Sequence, residues 1–322
     1  MDPEITDTGI ATSPPPEAQV RNPPAPTPAP EDLRTAPAAE PTVTQAGCGC
    51  ATAAAPDGGG GDGDTTAGYV YVLGGVHAVF PDASVQHEFL HVAGADGRTD
   101  NTDADAMYRV LSAPENRYIA RQMCFVLSVQ GVDTYILDPT DPTDLDDLVE
   151  ALRPVPDHRD LAVVVGRLGP IAPPGACQGL SVPVVRVEKI WAFDSKELMR
   201  AIDRPDGTSR KEFERGAGAL LDRLLQLNDN TGTDPAGRAL NYLMVRSQAI
   251  YKTSNEKREQ GYVLSAVEAS PSRLSTGSQT VVTVVFSYTH RQTNVVEKSF
   301  VRVGLAGLFP FLVSPFQDYY DR

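Results

Sequence analysis

The 322-residue chain sets 42 Asp and Glu against 28 Lys and Arg, and the formal charge of −14 excludes recruitment to nucleic-acid or anionic-membrane surfaces by bulk charge. Residues 1–68 hold 12 of the 27 prolines, the run Gly58-Gly59-Gly60-Gly61 and no Phe, Trp or Tyr, a composition that cannot bury enough apolar surface to offset its ordering entropy. That stretch reads as a disordered Pro/Ala/Gly-rich acidic tail of charge −8, leaving −6 on residues 69–322, which are long enough for one globular domain with a sizeable core.

In chain order, residues 69–73 (Tyr-Val-Tyr-Val-Leu) have strand chemistry and are expected to end in a turn at Gly74-Gly75. A helix follows, capped by Asp82 or Ser84, with Val85, Phe89 and Val92 at helical spacing and Gly94 as its stop. Residues 101–105 read as a loop and 114–129 as mostly helical. Residues 132–137 form a short strand closed by Asp138-Pro139, and 144–152 a helix with an acidic first turn. An apolar run at 161–168 has the character of a buried strand. A loop stiffened by Pro170, Pro173 and Pro174 leads from it to a further strand at 182–193.

Two longer helices are expected at 209–227, with Phe213, Leu220, Leu221, Leu224 and Leu225 on one broad face, and from Asp234-Pro235 to about residue 251, packed as a hairpin. Three β segments at 262–269, 280–288 and 295–303 make an antiparallel meander. The fold class is mixed α+β: strands and helices, a helical hairpin and a C-terminal meander, with no internal repeat.

The sharpest chemical motif is His87-Glu88-Phe89-Leu90-His91, in which two His one helical turn apart can bind zinc while the Glu acts as general base. The longer zinc-peptidase pattern requires a third His where Gly97 stands. The apolar residues Val85, Phe89 and Val92 also claim the buried face, which turns His87 and His91 to solvent. Cys48 and Cys50 could chelate a soft metal as a pair, yet two thiolates do not close a site, and they read as linker. Cys124 and Cys177 read as single thiols of a reducing compartment, in keeping with a cytoplasmic location for a chain with neither a membrane-length apolar run nor a signal-peptide pattern at its start. Asp138, Asp141, Asp144, Asp146 and Asp147 read as a capped, solvated helix entrance, because Pro139 and Pro142 break calcium-loop spacing. His158 and His290 are assigned no role, and no Ser has a matching His and Asp context.

Several longer phrases carry a family resemblance. They are Tyr69-Val70-Tyr71-Val72-Leu73-Gly74, Tyr118-Ile119-Ala120-Arg121-Gln122, Tyr135-Ile136-Leu137-Asp138-Pro139-Thr140-Asp141-Pro142 and Gly169-Pro170-Ile171-Ala172-Pro173-Pro174. Later come Arg238-Ala239-Leu240-Asn241-Tyr242-Leu243, Phe286-Ser287-Tyr288-Thr289, Glu297-Lys298-Ser299-Phe300-Val301-Arg302-Val303 and Tyr319-Tyr320-Asp321-Arg322. Together they resemble the C-terminal domain of unknown function of cyanobactin maturation proteases, the macrocyclases of patellamide-type pathways. In such relatives a subtilisin-like protease supplies the Asp, His and Ser, and no segment here matches it.

The resemblance implies a stand-alone accessory domain without catalytic residues or a cofactor, associated with maturation of a ribosomally made peptide. Its expected partner is a precursor peptide or a peptide-modifying enzyme, bound by strand addition to the C-terminal meander, with a homodimer as a further arrangement and neither nucleic acid nor membrane as a partner. Two alternatives stand beside this reading. One is a zinc hydrolase built on His87, Glu88 and His91 with a third ligand from elsewhere in the fold, and the other a structural fusion tethered by its tail.

Overall fold

The computed structural model describes residues 68–94, 104–154, 157–203, 208–226, 230–277 and 279–320, so the expected tail up to residue 67 lies outside the described residues. The first strand, β1 (Tyr69–Val79), does not stop at Gly74-Gly75 but runs through both glycines. The expected turn is corrected by packing: a Cβ on Gly74 would lie 2.4 Å from the carbonyl oxygen of Ser128, so the glycine admits a neighbouring strand. A Cβ on Gly75 would meet nothing within 4 Å.

β1 shares a closed five-stranded barrel with β2 (Cys124–Val129), β3 (Val132–Pro139), β4 (Leu161–Ile171) and β5 (Pro183–Phe193), in the order β1-β2-β3-β5-β4. All its pairs are antiparallel except β3 with β5. Val70, Val72, Phe125, Leu127, Leu137, Val164 and Val185 belong to one core cluster, whereas Tyr71, Leu73, Val163, Val165 and Phe193 belong to another. β4 is therefore buried on both faces, which explains its unbroken apolar run.

Four short helices complete the first core. α1 (Ala83–Ala93) begins at Asp82, whose carboxylate accepts from the N–H groups of Ser84 and Val85, and ends at Gly94 with φ 66°. α2 (Ala104–Leu111) begins within the loop expected at 101–105 and fills a tract in which the sequence predicts no element. The expected helix at 114–129 is corrected to a single 3-10 turn, α3 (Arg117–Ala120) and strand β2, because Phe125, Val126 and Leu127 all find burial within the barrel. α4 (Pro142–Glu150) opens with a capping box between Asp141 and Asp144.

The second core lies between the outer barrel face and a four-stranded sheet. α5 (Ser195–Ala201), α6 (Arg210–Gln226), α7 (Pro235–Arg246) and α8 (Gln248–Glu259) precede β6 (Tyr262–Pro271), β7 (Val281–His290), β8 (Val296–Gly304) and β9 (Phe311–Tyr319), which pair in chain order. The long second helix of the sequence reading is two helices, broken at the buried, extended Ser247. The break is satisfied locally, since the hydroxyl of buried Tyr251 donates to the freed carbonyl of Met244 at 2.7 Å. α6 consequently packs more against α8 than against α7, so the expected simple hairpin is replaced by a three-helix arrangement.

The meander has a fourth strand, β9, that the sequence reading lacked. Pro315 lies within β9, two register shifts interrupt its pairing with β8, and the Phe311 ring covers the bare face of Gly304. Arg238, buried in α7, spans the gap to the β8–β9 connection by donating to the carbonyls of Gly307 (2.5 Å) and Leu308 (3.3 Å) while its guanidinium faces the Tyr69 ring. Burial pulls this guanidinium down to about 10, still protonated at neutral pH.

The two glycines separate in a mutational test. Gly74→Val is expected to cost about 3 kcal/mol or more by forcing β2 away, and Gly75→Val to change stability by less than about 0.5 kcal/mol. Urea unfolding of both variants measures the contrast, and equal costs would contradict the packing described.

Candidate functional site

The His-Glu-x-x-His motif lies on α1 as expected, with Val85 and Phe89 buried and His87, Glu88 and His91 exposed. Glu88 accepts a 2.5 Å hydrogen bond from the Tyr118 hydroxyl, an interaction that pushes the phenol's pKa up. Among the described residues no three His, Cys, Asp or Glu side chains gather as a metal site. Gly97, at the third-ligand position, and the pair Cys48 and Cys50 lie outside the described residues.

The Asp cluster is distributed among structural tasks. Asp141 and Asp144 cap α4, Asp146 pairs with Arg117 at 2.5 Å, and Asp147 pairs with Lys189 at 2.8 Å. His290 shapes the β7–β8 turn, its Nδ1 accepting from the N–H groups of Gln292 and Thr293. His158 lies 3.3 Å from Asp222, which also receives a two-pronged hydrogen bond from Arg159 at 2.7 and 3.1 Å.

Folding also brings His77 to Ser128 and Asp133, from which it is remote in sequence. Ser128 sits where the β2–β3 register shifts, and its Oγ donates to Asp133 Oδ1 at 2.7 Å. His77 Nδ1 lies 3.3 Å from that Oγ, and His77 Nε2 lies 3.5 Å from the same carboxylate oxygen. In a nucleophilic triad the imidazole stands between serine and acid and takes the hydroxyl proton. Here the acid holds that proton directly, His77 and Asp133 are each more than 40% exposed, and the trio clasps three strands at the surface.

The most open feature concerns the backbone of β1. Its first half, Tyr69 to Gly74, pairs with β4, and its second half, Gly75 to Val79, pairs with β2. The edge left by the first half is sealed, because the N–H of Tyr71 donates to the Gly232 carbonyl at 3.0 Å and its carbonyl accepts from the Asn241 amide at 2.8 Å. Backbone groups alternate sides along a strand, so Tyr71, Gly75, His77 and Val79 point toward the β2 side, and Val76 and Ala78 point away from it. Among the described residues no strand pairs with that far side of Val76 and Ala78.

A cavity of about 470 Å³ borders this edge, lined by residues 76–80 together with Gln86, Ala104, Met107, Leu152 and Gln178. A second, of about 570 Å³, shares Val76, Ala104 and Leu152 and continues past Gly75 toward Asp160. The volumes fall in the range of small-ligand sites, and the walls are mainly apolar with amide groups at Gln86 and Gln178. Gln178 is held there by a covalent bond: Cys124 and Cys177 form a disulfide across a Cα separation of 5.7 Å. This corrects the expectation of two single thiols. They stand 53 positions apart, and only the return of β5 beside β3 brings the loop before β5 to the start of β2.

Two family models match the chain, one described as PatG Domain over residues 69–171 and one as PatG C-terminal over residues 207–319. A solved structure described as "PatG Domain of Unknown Function" superposes with a TM-score of 0.62 at 20% identity, covering 79% of this chain and 99% of that one. That likeness establishes a shared fold. No curated protein matches. The phrases that carried the resemblance lie largely within the two matched regions.

The Arg159–Asp222 contact yields a pH prediction. Hydrogen bonding from Arg159 holds the Asp222 carboxyl below its usual range, against the smaller upward push of burial. Its stabilisation is complete above the unfolded value of about 3.9 and is lost as pH falls through the lower folded value. Asp222→Asn is expected to cost about 1 kcal/mol at pH 7 for a partly exposed bidentate pair. Denaturation midpoints of wild type and variant at pH 7 and near pH 2.5 should show that difference shrinking with acid, and a pH-independent difference would remove the charge from the explanation.

Proposed function

Since the chain is a PatG-type C-terminal domain of unknown function, we propose that it is a non-catalytic accessory domain of ribosomal-peptide maturation that binds an extended segment of a precursor peptide or of a peptide-modifying enzyme. The observation that carries this reading is the side of β1 at Val76 and Ala78 that no strand pairs among the described residues, opening on an apolar cavity of about 470 Å³.

An incoming strand finds there the N–H and C=O groups of two residues one strand repeat apart, and a recess for its alternate side chains. Main-chain hydrogen bonds would supply affinity and the recess selectivity. The β9 edge of the C-terminal meander, the element favoured from sequence, is a poorer receptor: Pro315 lacks a donor and the register shifts bend the strand. A zinc-hydrolase reading draws no comparable support from α1, where His87 and His91 face solvent and Glu88 is engaged by Tyr118. The domain is proposed to act without a metal cofactor.

Ala78→Pro tests the edge selectively, because it deletes an N–H that faces away from β2. Fluorescence anisotropy with a labelled panel of unstructured decapeptides alternating apolar and polar residues is expected to give saturable binding to the full chain. The variant should keep a cooperative melt and weaken binding by at least ~tenfold, about 1.4 kcal/mol. Equal binding by both proteins would sink the edge as receptor. Zinc content after dialysis is expected to stay well below stoichiometric, and one equivalent lost in both His87→Ala and His91→Ala would reinstate the metal site.

A further inference from the structure

We infer that the Cys124–Cys177 disulfide is a redox clasp on the β1 cleft: oxidised it holds Gln178 in the cleft wall, and reduced it releases the loop at 172–182. The inference rests on the cleft reading above and adds its regulation.

Cys124 is the first residue of β2 and stands in register with Val79, at the far end of the open half of β1. Cys177 begins a one-turn 3-10 segment, Cys177–Gly179, in which all three residues have positive φ: 48° at Cys177, 59° at Gln178 and 87° at Gly179. Glycine adopts such angles freely, whereas two consecutive residues with side chains are strained there and persist only where the surroundings impose them.

What imposes them is limited. The backbone bonds of the loop are Ala172 to Val182 at its base and three bonds within the loop itself, from Ala176 to Pro173, Gly179 to Ala176 and Leu180 to Cys177. Its apolar anchorage is a small cluster in which Val126, Ile136, Ala172 and Cys177 are the buried members and the loop's Ala176, Leu180 and Val182 are partly buried, separate from the two large cores. The covalent bond is thus the link that ties to β2 a strained segment whose middle residue lines the cleft.

The chemistry needs a dithiol reductant. Its thiolate attacks the sulfur of Cys124, the more exposed partner, and Cys177 departs as thiolate and is protonated; the reductant's second thiol then resolves the mixed disulfide, freeing Cys124 and leaving as a disulfide. Two electrons and two protons pass to the protein. Loss of the bond lets Cys177 and Gln178 relax out of positive φ, and the wall loses its preorganisation for peptide.

The test uses the full chain carrying Cys48→Ser and Cys50→Ser, so that one cysteine pair responds. Alkylation and peptide mapping without reductant should find Cys124 and Cys177 joined. Hydrogen exchange at 172–182 should then quicken by ~tenfold or more on reduction with dithiothreitol, equally in a Cys124→Ser/Cys177→Ser variant, while β4 is unchanged. Peptide affinity should fall severalfold in parallel. Free thiols in the unreduced protein, or loop exchange indifferent to reduction, would overturn the clasp. A loop that loosens in a protein binding no peptide in either state would refute the peptide reading and leave the clasp standing.

Discussion

The bonds on the two sides of β1 govern the rest of the molecule. A strand of eleven residues takes β4 as its neighbour for its first half and β2 for its second, so among the described residues each half leaves one side without a strand. On the first half that side is occupied by Gly232 and by the amide of Asn241, which together satisfy the backbone of Tyr71. Gly232, at φ 68°, comes so close that a Cβ there would lie 2.2 Å from the Tyr71 carbonyl oxygen. This contact ties α7 to the barrel, and α7 in turn lies beneath the C-terminal sheet. The second half receives no such seal among the described residues, and the cleft is the result.

Much of this was legible in residues 69–320 because local chemistry and burial agree there. The α1 cap at Asp82 and the α7 start at Asp234-Pro235 are read directly from side chains that bond to nearby backbone, and the α1 stop at Gly94 from a glycine free to take positive φ, while the helix expected at 144–152 starts earlier, at Pro142, because Asp141 caps it. Where the reading departed from the structure, long-range packing decided. The tract before Val129 has helical spacing as well as strand-forming residues, and only barrel closure selects β2. The end of α7 at Ser247 depends on a tyrosine four residues later reaching back to Met244, which no residue pattern announces. β9 is sparse in β-branched residues and contains Pro315, so its strand character comes from pairing with β8.

The candidate site was less legible than the fold, for a physical reason. A motif such as His87-Glu88-Phe89-Leu90-His91 advertises itself through side chains, but its meaning depends on what its helix faces, and α1 turns Val85 and Phe89 inward. The open side of β1 is a property of the backbone, invisible in residue identities, and emerges only from knowing which strands lie on either side. Gly74 and Gly75 were a partial signal, since adjacent glycines in a strand mark close approach as readily as a turn. The approach of His77 to Ser128 and Asp133 and the Cys124–Cys177 bond likewise join residues that only the barrel brings together.

The outer strand of the C-terminal sheet has a consequence for the protein in bulk. Phe309, Phe311, Leu312 and Val313 are exposed along and beside an edge strand, a composition that in a flat, regular strand would template the stacking of one molecule on the next into fibrils. Pro315 removes a donor from that edge, the register shifts twist it, and Phe311 is folded back over Gly304. An irregularity that weakens pairing with β8 thereby contributes colloidal stability, discouraging strand addition at the β9 edge when molecules are crowded together.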